Sequence, residues 1–277
     1  MNEAVAAAHR DGILTCASLM VGAPAAAAAA ALARRLPSLR VGLHIVLVDG
    51  RPVSPPEKIP ALLRRDGAFR DDMVGAGFRF FFLPEVRRQL AHEIRAQFEA
   101  FRATGLALDH ANAHKHMHLH PTVARLILEI GRDYGLGAMR VPAEPRRAVR
   151  SAAAPQRRPA RSLAGDLGPA LLDIWTGGLR RRLRRAGVAA NDHLFGLAWT
   201  GRMTESRLLS LLPHVPEGVS EIYFHPATER TQALARTMPD YRHRDELAAL
   251  VSPAVRRRID AGGFCLISYR DIAAVRS

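Results

Sequence analysis

Short apolar runs of strand length alternate with amphipathic stretches of helix length along most of this chain, and that alternation restricts it to an α/β architecture. Strands are predicted at Ile13–Met20, Val41–Val46, Leu106–Ala111, Ala138–Val141, Leu194–Ala198 and Ser220–His225, with a last strand–helix pair around Phe264–Val275. Helices are predicted at Pro24–Arg35, Pro84–Thr104, Pro121–Tyr134, Leu167–Ala186 and Thr204–Leu212. Polar residues suited to chemistry recur where strands end, at His44, His114, Arg140 and His225. A parallel sheet closed or nearly closed into a distorted (β/α) barrel of about seven strands explains this recurrence better than an open doubly wound sheet. With 277 residues and 48% apolar composition, residues 1–277 are read as a single domain. Residues 146–165 lack an apolar period and read as a flexible insertion.

Charge narrows the partners less than its size suggests. The formal net charge is +14, yet all but two of the 40 basic residues are arginine, the lysines being Lys58 and Lys115. Arginine in an alanine-rich chain points to codon bias and a solvated surface, with an anionic partner as the sharper alternative. The stretch Leu179–Ala186 carries a strongly basic helix face, which fits either a solvated helix or peripheral contact with an anionic membrane. Cys16 and Cys265 give no disulfide framework, and a reducing, cytoplasmic setting fits them. The Ala25–Ala31 run has no basic segment before it and reads as helix, not as a signal peptide. No apolar stretch reaches the roughly 18–20 residues that span a bilayer, so the chain is expected in the cytoplasm, with peripheral inner-membrane contact open.

Between Asn112 and Pro121 four imidazoles, His114, His116, His118 and His120, stand at two-residue spacing. On an extended backbone all four rings leave one face. Pro121 suits a first helical turn, so the run sits in a strand-to-helix connection, where α/β folds place their chemistry. Catalytic metals use two or three protein ligands plus water. One or two of these rings are therefore expected to ligate, with the others orienting ligands or meeting substrate. A metal-free surface run is the bland alternative.

Five motifs in order then resemble one family: Val41–His44, Asn112–His118, Met139–Arg140, Glu221–Pro226 and Leu266–Tyr269 look like the YdjC-like (ChbG-type) carbohydrate deacetylases. Asp109–Pro121, Asp192–Gly196 and Tyr241–Leu247 are most similar to the hopanoid-biosynthesis-associated branch. The resemblance covers essentially the whole chain. It implies a distorted (β/α) barrel that removes an acetyl group from an N-acetylated sugar, using one divalent metal, magnesium or zinc, held by an aspartate and two histidines. Carried over by motif, the metal ligands fall on His44 and His114, with His116 as an alternate. Where family members often have an aspartate two residues before the histidine run, this chain has Asn112, and Asp109 is a nearby substitute for a supporting role. Family chains begin with a strand ending in Asp-Asp-Phe-Gly, whereas this sequence starts at the helix that follows it. It is therefore expected to lack an N-terminal strand together with the base and third ligand, with a start codon called too far downstream favoured over natural loss of the site, and to be inactive or weakly metal-binding as written.

Within that reading His225 is the candidate for protonating the leaving nitrogen and Arg140 for holding a substrate oxygen or a buried carboxylate. Asn112, His116 and His118 are expected to contact substrate. His9, His92, His214 and His243 lack a constellation and are expected at the surface; Glu246 and Tyr269 match late motifs but could be packing or surface positions. The substrate is expected to be an N-acetylated sugar or glycolipid, plausibly an N-acetylglucosaminyl hopanoid lipid, and a homodimer is left open. Two other classes compete: a metal-dependent phosphoesterase or amidohydrolase, and a non-catalytic arginine-rich protein binding nucleic acid or anionic membrane, against which the absence of aromatic stacking motifs argues.

Overall fold

The computed structural model describes the backbone of residues 1–153 and 167–276, and the side chains of all of these except 167–171. Two compact units are built from interleaved segments. One contains Met1–Thr15, Pro142–Leu172 and Asn191–Ile267; the other contains Cys16–Val141, Asp173–Ala190 and Ser268–Ser277.

The second unit carries a parallel three-stranded sheet, β1 (Cys16–Leu19), β2 (Arg40–Ile45) and β3 (Leu108–Ala113), in that spatial order. Helix α2 (Ala26–Arg34) connects β1 to β2, and α3 (Met73–Phe82) and α4 (Pro84–Ala103) lie between β2 and β3. Pro84 opens α4 at the position where a missing N–H costs nothing. Val86, Leu90, Ile94, Phe98 and Phe101 recur at helical spacing and are buried. A buried polar stripe runs beside them. Gln97 bonds Val46 N–H and C=O, Glu93 accepts from the Val53 and Ser54 amides, and Gln89 accepts from Ala61 N–H. Backbone in the long loop after β2 thereby finds partners that no strand supplies. Helix α5 (Pro121–Gly131) follows β3 and buries Val123, Ala124, Leu126, Ile127 and Ile130.

The first unit holds α1 (Asn2–Asp11), α6 (Arg146–Ala153), β4 (His193–Phe195), α8 (Glu205–Leu211), β5 (Ser220–Ile222), α9 (Gln232–Thr237), α10 (His243–Val251) and α11 (Pro253–Ala261). Strands β4 and β5 pair in parallel. Leu208, Leu212, Ala249, Val255 and Ile259 form one core cluster; Ala148, Phe195, Met203 and Leu211 form another. Helix α7 (Leu167–Arg185) and the short α12 (Ile272–Arg276) complete the described elements.

The mixed α/β class with parallel sheets holds, but the described residues contain five strands in two sheets, not about seven. Residues 138–141 make only single bridges, Met139 to Ala111 and Ala138 to Ala189. The expected strand near Phe264 is absent among the described residues, where a 3₁₀ turn at Tyr269–Asp271 leads into α12. Of the predicted insertion, Arg146–Ala153 is helical, because Ala148, Val149 and Ala152 pack on the Phe195 cluster at helical spacing. The stretch 154–165 lies outside the described residues. Among them no helix is long and apolar enough to cross a membrane.

Candidate functional site

Register across the three-stranded sheet builds the site. Ser18 pairs with Gly42, and His44 with Asn112, so the side chains of Ser18, His44 and Asn112 leave the same face. Between Val41 and Leu43 the register with β3 slips by one residue, a bulge that sets Asp109 and His110 against Gly42. The His110 ring fills the space over that glycine: a Cβ there would lie 2.5 Å from its Cε1. A larger residue at position 42 would evict the ring.

These groups form one hydrogen-bond chain whose direction can be read from its ends. Asp109 Oδ1 accepts from Arg270 N–H (3.1 Å), and its Oδ2 accepts from His110 Nδ1 (2.8 Å). His110 Nε2 is then the acceptor for the Ser18 hydroxyl (2.9 Å), and Ser18 Oγ accepts from Asn112 Nδ2 (2.8 Å). The other end of that amide, Asn112 Oδ1, accepts from His44 Nδ1 at 2.5 Å. The chain thus fixes His44 as the Nδ1–H tautomer and leaves Nε2 with its lone pair. Tyr269 stacks on His110 at 4.4 Å between centroids and is buried, a packing role. Burial, then the charge of His114, depresses the His44 pKa to about 3, with Arg140 and His116 adding to the effect against the opposing Asn112 hydrogen bond. His44 is therefore a neutral ligand-type imidazole at any ordinary pH.

The histidine run is not extended. It coils as a 3₁₀ segment, His114–Leu119, with Lys115 and His116 at φ of 50° and 55°. Two successive left-handed residues rotate the rings out of a common face, so the prediction of four parallel imidazoles fails. His114 stays with His44, edge to face at 5.7 Å between centroids. Its pKa is lowered by burial and partly restored by Asp49, whose carboxylate is held by Lys115 at 2.6 Å. His118 is fully buried and accepts the Ala113 N–H at Nδ1 (3.0 Å); burial and then His116 push its pKa well down. His116 is partly exposed and lies 5.8 Å from the His118 ring. His120 packs among the edges of Phe80, Phe81 and Trp175. Arg140 is buried, and its charge reaches both His44 and His118. Of the expected substrate contacts, Asn112 and His118 are buried, with both amide atoms of Asn112 and Nδ1 of His118 bonded internally. They support the site, and His116 alone of the three has exposed surface.

In the first unit His225 has its own setting. Glu246, completely buried, accepts from the amides of His225 (2.5 Å) and Met203 (2.9 Å). His243 Nδ1 donates to the His225 carbonyl at 2.6 Å. Both peptide groups flanking the His225 Cα are thus clamped, while Tyr223 and Tyr241 flank its ring at 5.5 and 5.1 Å. Burial raises the Glu246 pKa against the pull of its two amide donors. His243, expected at the surface, is 2% exposed, and Glu246 is likewise interior. The signal was present in the sequence: positions 243, 246 and 250 share the buried face of α10. His92 and His214 are exposed as expected, whereas His9 is half-buried with its Nδ1 on the Leu14 carbonyl.

Two places offer metal-ligand chemistry. Cys16, Asp109 and His110 bring three donor atoms within 4.8 Å of one another, the single such trio among the described residues. Both nitrogens of His110 and both oxygens of Asp109 are already engaged in the chain above, so this trio serves as the hub of that network. His44 and His114 are different. Bound at about 2.1 Å to one ion, two imidazoles have centroids on the order of 5 Å apart, close to what is seen, and His44 Nε2 is left available by Asn112.

A family model described as YdjC-like protein matches residues 1–261. The chain belongs to the YdjC-like family. A carbohydrate deacetylase of Geobacillus stearothermophilus is 28% identical over 275 residues, 98% of this chain and 91% of that protein. Another from mouse is 31% identical over 301 aligned positions, covering 99% of this chain and 91% of its relative. A third, from Brevibacillus brevis, is 36% identical over 137 residues, so the match spans about half of each protein, 48% and 51%. A crystal structure from Enterococcus faecalis, described as that of a cellobiose-phosphate cleavage protein, superposes with a TM-score of 0.72 over 98% of this chain and 92% of its own, at 21% identity. That likeness shows a shared fold.

Proposed function

We propose that this YdjC-like chain is a metal-dependent carbohydrate N-deacetylase, with one divalent ion, magnesium or zinc, held by His44 and His114 on a (β/α)-barrel scaffold. The relatives named carbohydrate deacetylase support the reaction class. The observation that carries the metal assignment is the pair of imidazoles 5.7 Å apart, one of them with its tautomer set so that Nε2 is free. Such an ion would supply an activated water and polarise the acetyl carbonyl.

The remaining roles fall to side chains. Asn112, locked through Ser18 and His110 to Asp109, holds the His44 ring in its ligating orientation. Asp49 keeps a carboxylate in electrostatic reach of His114. Arg140 places a fixed positive charge near both His44 and His118, suited to an oxyanion. His116 is assigned to substrate contact, and His225, with its backbone clamped by Glu246 and His243, to proton delivery to the departing amine. The resemblance of residues 109–121, 192–196 and 241–247 to the hopanoid-associated branch favours an N-acetylglucosaminyl hopanoid as substrate.

The test is acetate release from N-acetylglucosamine oligosaccharides and from an N-acetylglucosamine-bearing lipid, run on chelated and metal-restored protein. Chelated protein should take up one equivalent of metal, any acetate release by this chain should depend on that metal, and His114→Ala should lose stoichiometric binding by at least 100-fold, and acetate release with it, while melting normally. Full activity in His114→Ala, or in chelated protein, refutes the assignment.

A further inference from the structure

Eight of the twelve large hydrophobic side chains exposed among the described residues fall in just two stretches, 73–83 and 174–175. Helix α3 is apolar on two faces. Ala76 and Phe80 point into the second unit, whereas Val74, Phe78, Phe81 and Phe82, at positions i, i+4, i+7 and i+8, form an outward stripe. Val74 is 85% exposed and Phe78 63%, although Phe82 touches both Phe78 and Phe81. Trp175 on α7 stands beside this stripe, since His120 contacts both Phe81 and Trp175, and the exposed Ile174 precedes it in the helix. A contiguous apolar surface of this kind marks an interaction site.

Charge tells which. Seven residues beyond Ile174 and Trp175, two helical turns along the same face of α7, stand Arg181 and Arg182, with Arg185 one turn further; all three are exposed. Aromatic and aliphatic side chains followed by arginines on one helix face is the pattern of a surface that sinks its rings to the acyl boundary and sets its cations at the headgroups. The aliphatic Val74 and Ile174 would insert there but would stack on no nucleobase. A contact with a second copy would instead bring together two chains each of net charge +14.

We propose that the outer face of α3 and the Ile174–Arg185 face of α7 form a docking surface for an anionic lipid bilayer. The proposal is independent of the metal site. Co-sedimentation with vesicles of phosphatidylcholine alone and mixed with phosphatidylglycerol tests it. The chain should partition to the mixed vesicles, with a blue shift of Trp175 emission that Trp175→Phe removes, and only weakly to phosphatidylcholine. Replacing Arg181, Arg182 and Arg185 by Gln should weaken binding about fivefold per residue. Phe78→Ser with Phe82→Ser should weaken it at least tenfold, with circular dichroism and Tm of all variants near wild type. Equal binding to both vesicle types, or binding indifferent to the phenylalanine pair, overturns the proposal. So does a concentration-dependent dimer in sedimentation equilibrium that the phenylalanine variant abolishes, which would give this face to a second copy.

Discussion

Replacing Asn112 tests the hydrogen-bond chain at the link that touches His44. The amide is completely buried, accepts from His44 Nδ1 at 2.5 Å and donates to Ser18 Oγ at 2.8 Å. Asn112→Leu keeps the branching and the four side-chain heavy atoms, at greater bulk, and removes both bonds, stranding an imidazole N–H and a hydroxyl lone pair. Each stranded buried group costs about 1–3 kcal/mol. The His44 ring is partly open to water and Ser18 only half-buried, so the lower half of the summed range applies, about 3 kcal/mol, or a fall in Tm of roughly 6–12 °C. Freed of its partner, His44 should populate both neutral tautomers, and metal affinity should fall about 10–100-fold. Asn112→Asp is the informative contrast. Its carboxylate still accepts from His44 Nδ1, preserving the tautomer, and its charge favours the imidazolium, so the His44 pKa should rise above about 3. Long-range proton–nitrogen NMR spectra of the histidine rings report tautomer and titration directly, without activity. The reasoning is refuted if Asn112→Leu retains the Nδ1–H form of His44 and an unchanged Tm, or if Asn112→Asp leaves the His44 titration where it was.

Two further outcomes follow from the same sheet. Gly42→Ala would set a methyl 2.5 Å from the buried His110 ring, which is pinned by Asp109, Ser18 and Tyr269, and should cost about 1–3 kcal/mol by thermal or urea unfolding; a neutral result would show the ring to be mobile. Metal-free protein should also be acid-sensitive: the folded-state pKa of His118 lies well below 6.5, so the fold binds fewer protons than the unfolded chain, and stability complete above pH 6.5 drains away as pH falls from there. His118 alone contributes about 1 kcal/mol of that loss over the first pH unit. Glu144 and Glu246, raised by burial, act in the opposite sense, so the measurement is the difference in Tm-against-pH slope between wild type and His118→Asn, whose amide oxygen can still accept from Ala113 N–H. Identical slopes would refute it.

Where local pattern decides structure, the sequence is legible. The boundaries of α4 and α5 are set by Pro84 and Pro121 and an apolar 3.6 period, and both helices begin at those prolines. Strand length is a different matter, because a strand exists only where a partner is in register. Residues 138–141 look like a strand in isolation, yet they meet Ala111 and Ala189 at single bridges. The histidine run misled for a related reason. Alternation at period two says which face a side chain takes only if the backbone is extended, and left-handed conformations at Lys115 and His116 cannot be read from residues that are not glycine.

The hydrogen-bond chain behind His44 explains why the site itself was half visible. His44 and His114 carry a recognisable chemical signature, but Ser18, whose hydroxyl joins His110 to Asn112, has none: its partners lie 92 and 94 residues away. What places Ser18 is register, and register in turn depends on Gly42 being small enough to admit His110 and on the bulge opposite it. A slip of one residue between β1 and β2 would turn Ser18 to the other face, leave Asn112 Nδ2 without an acceptor, and release the amide that fixes His44. The tautomer of the ligand imidazole is therefore a property of the sheet's pairing, and a substitution at Gly42 should be felt at His44 although the two side chains share no bond.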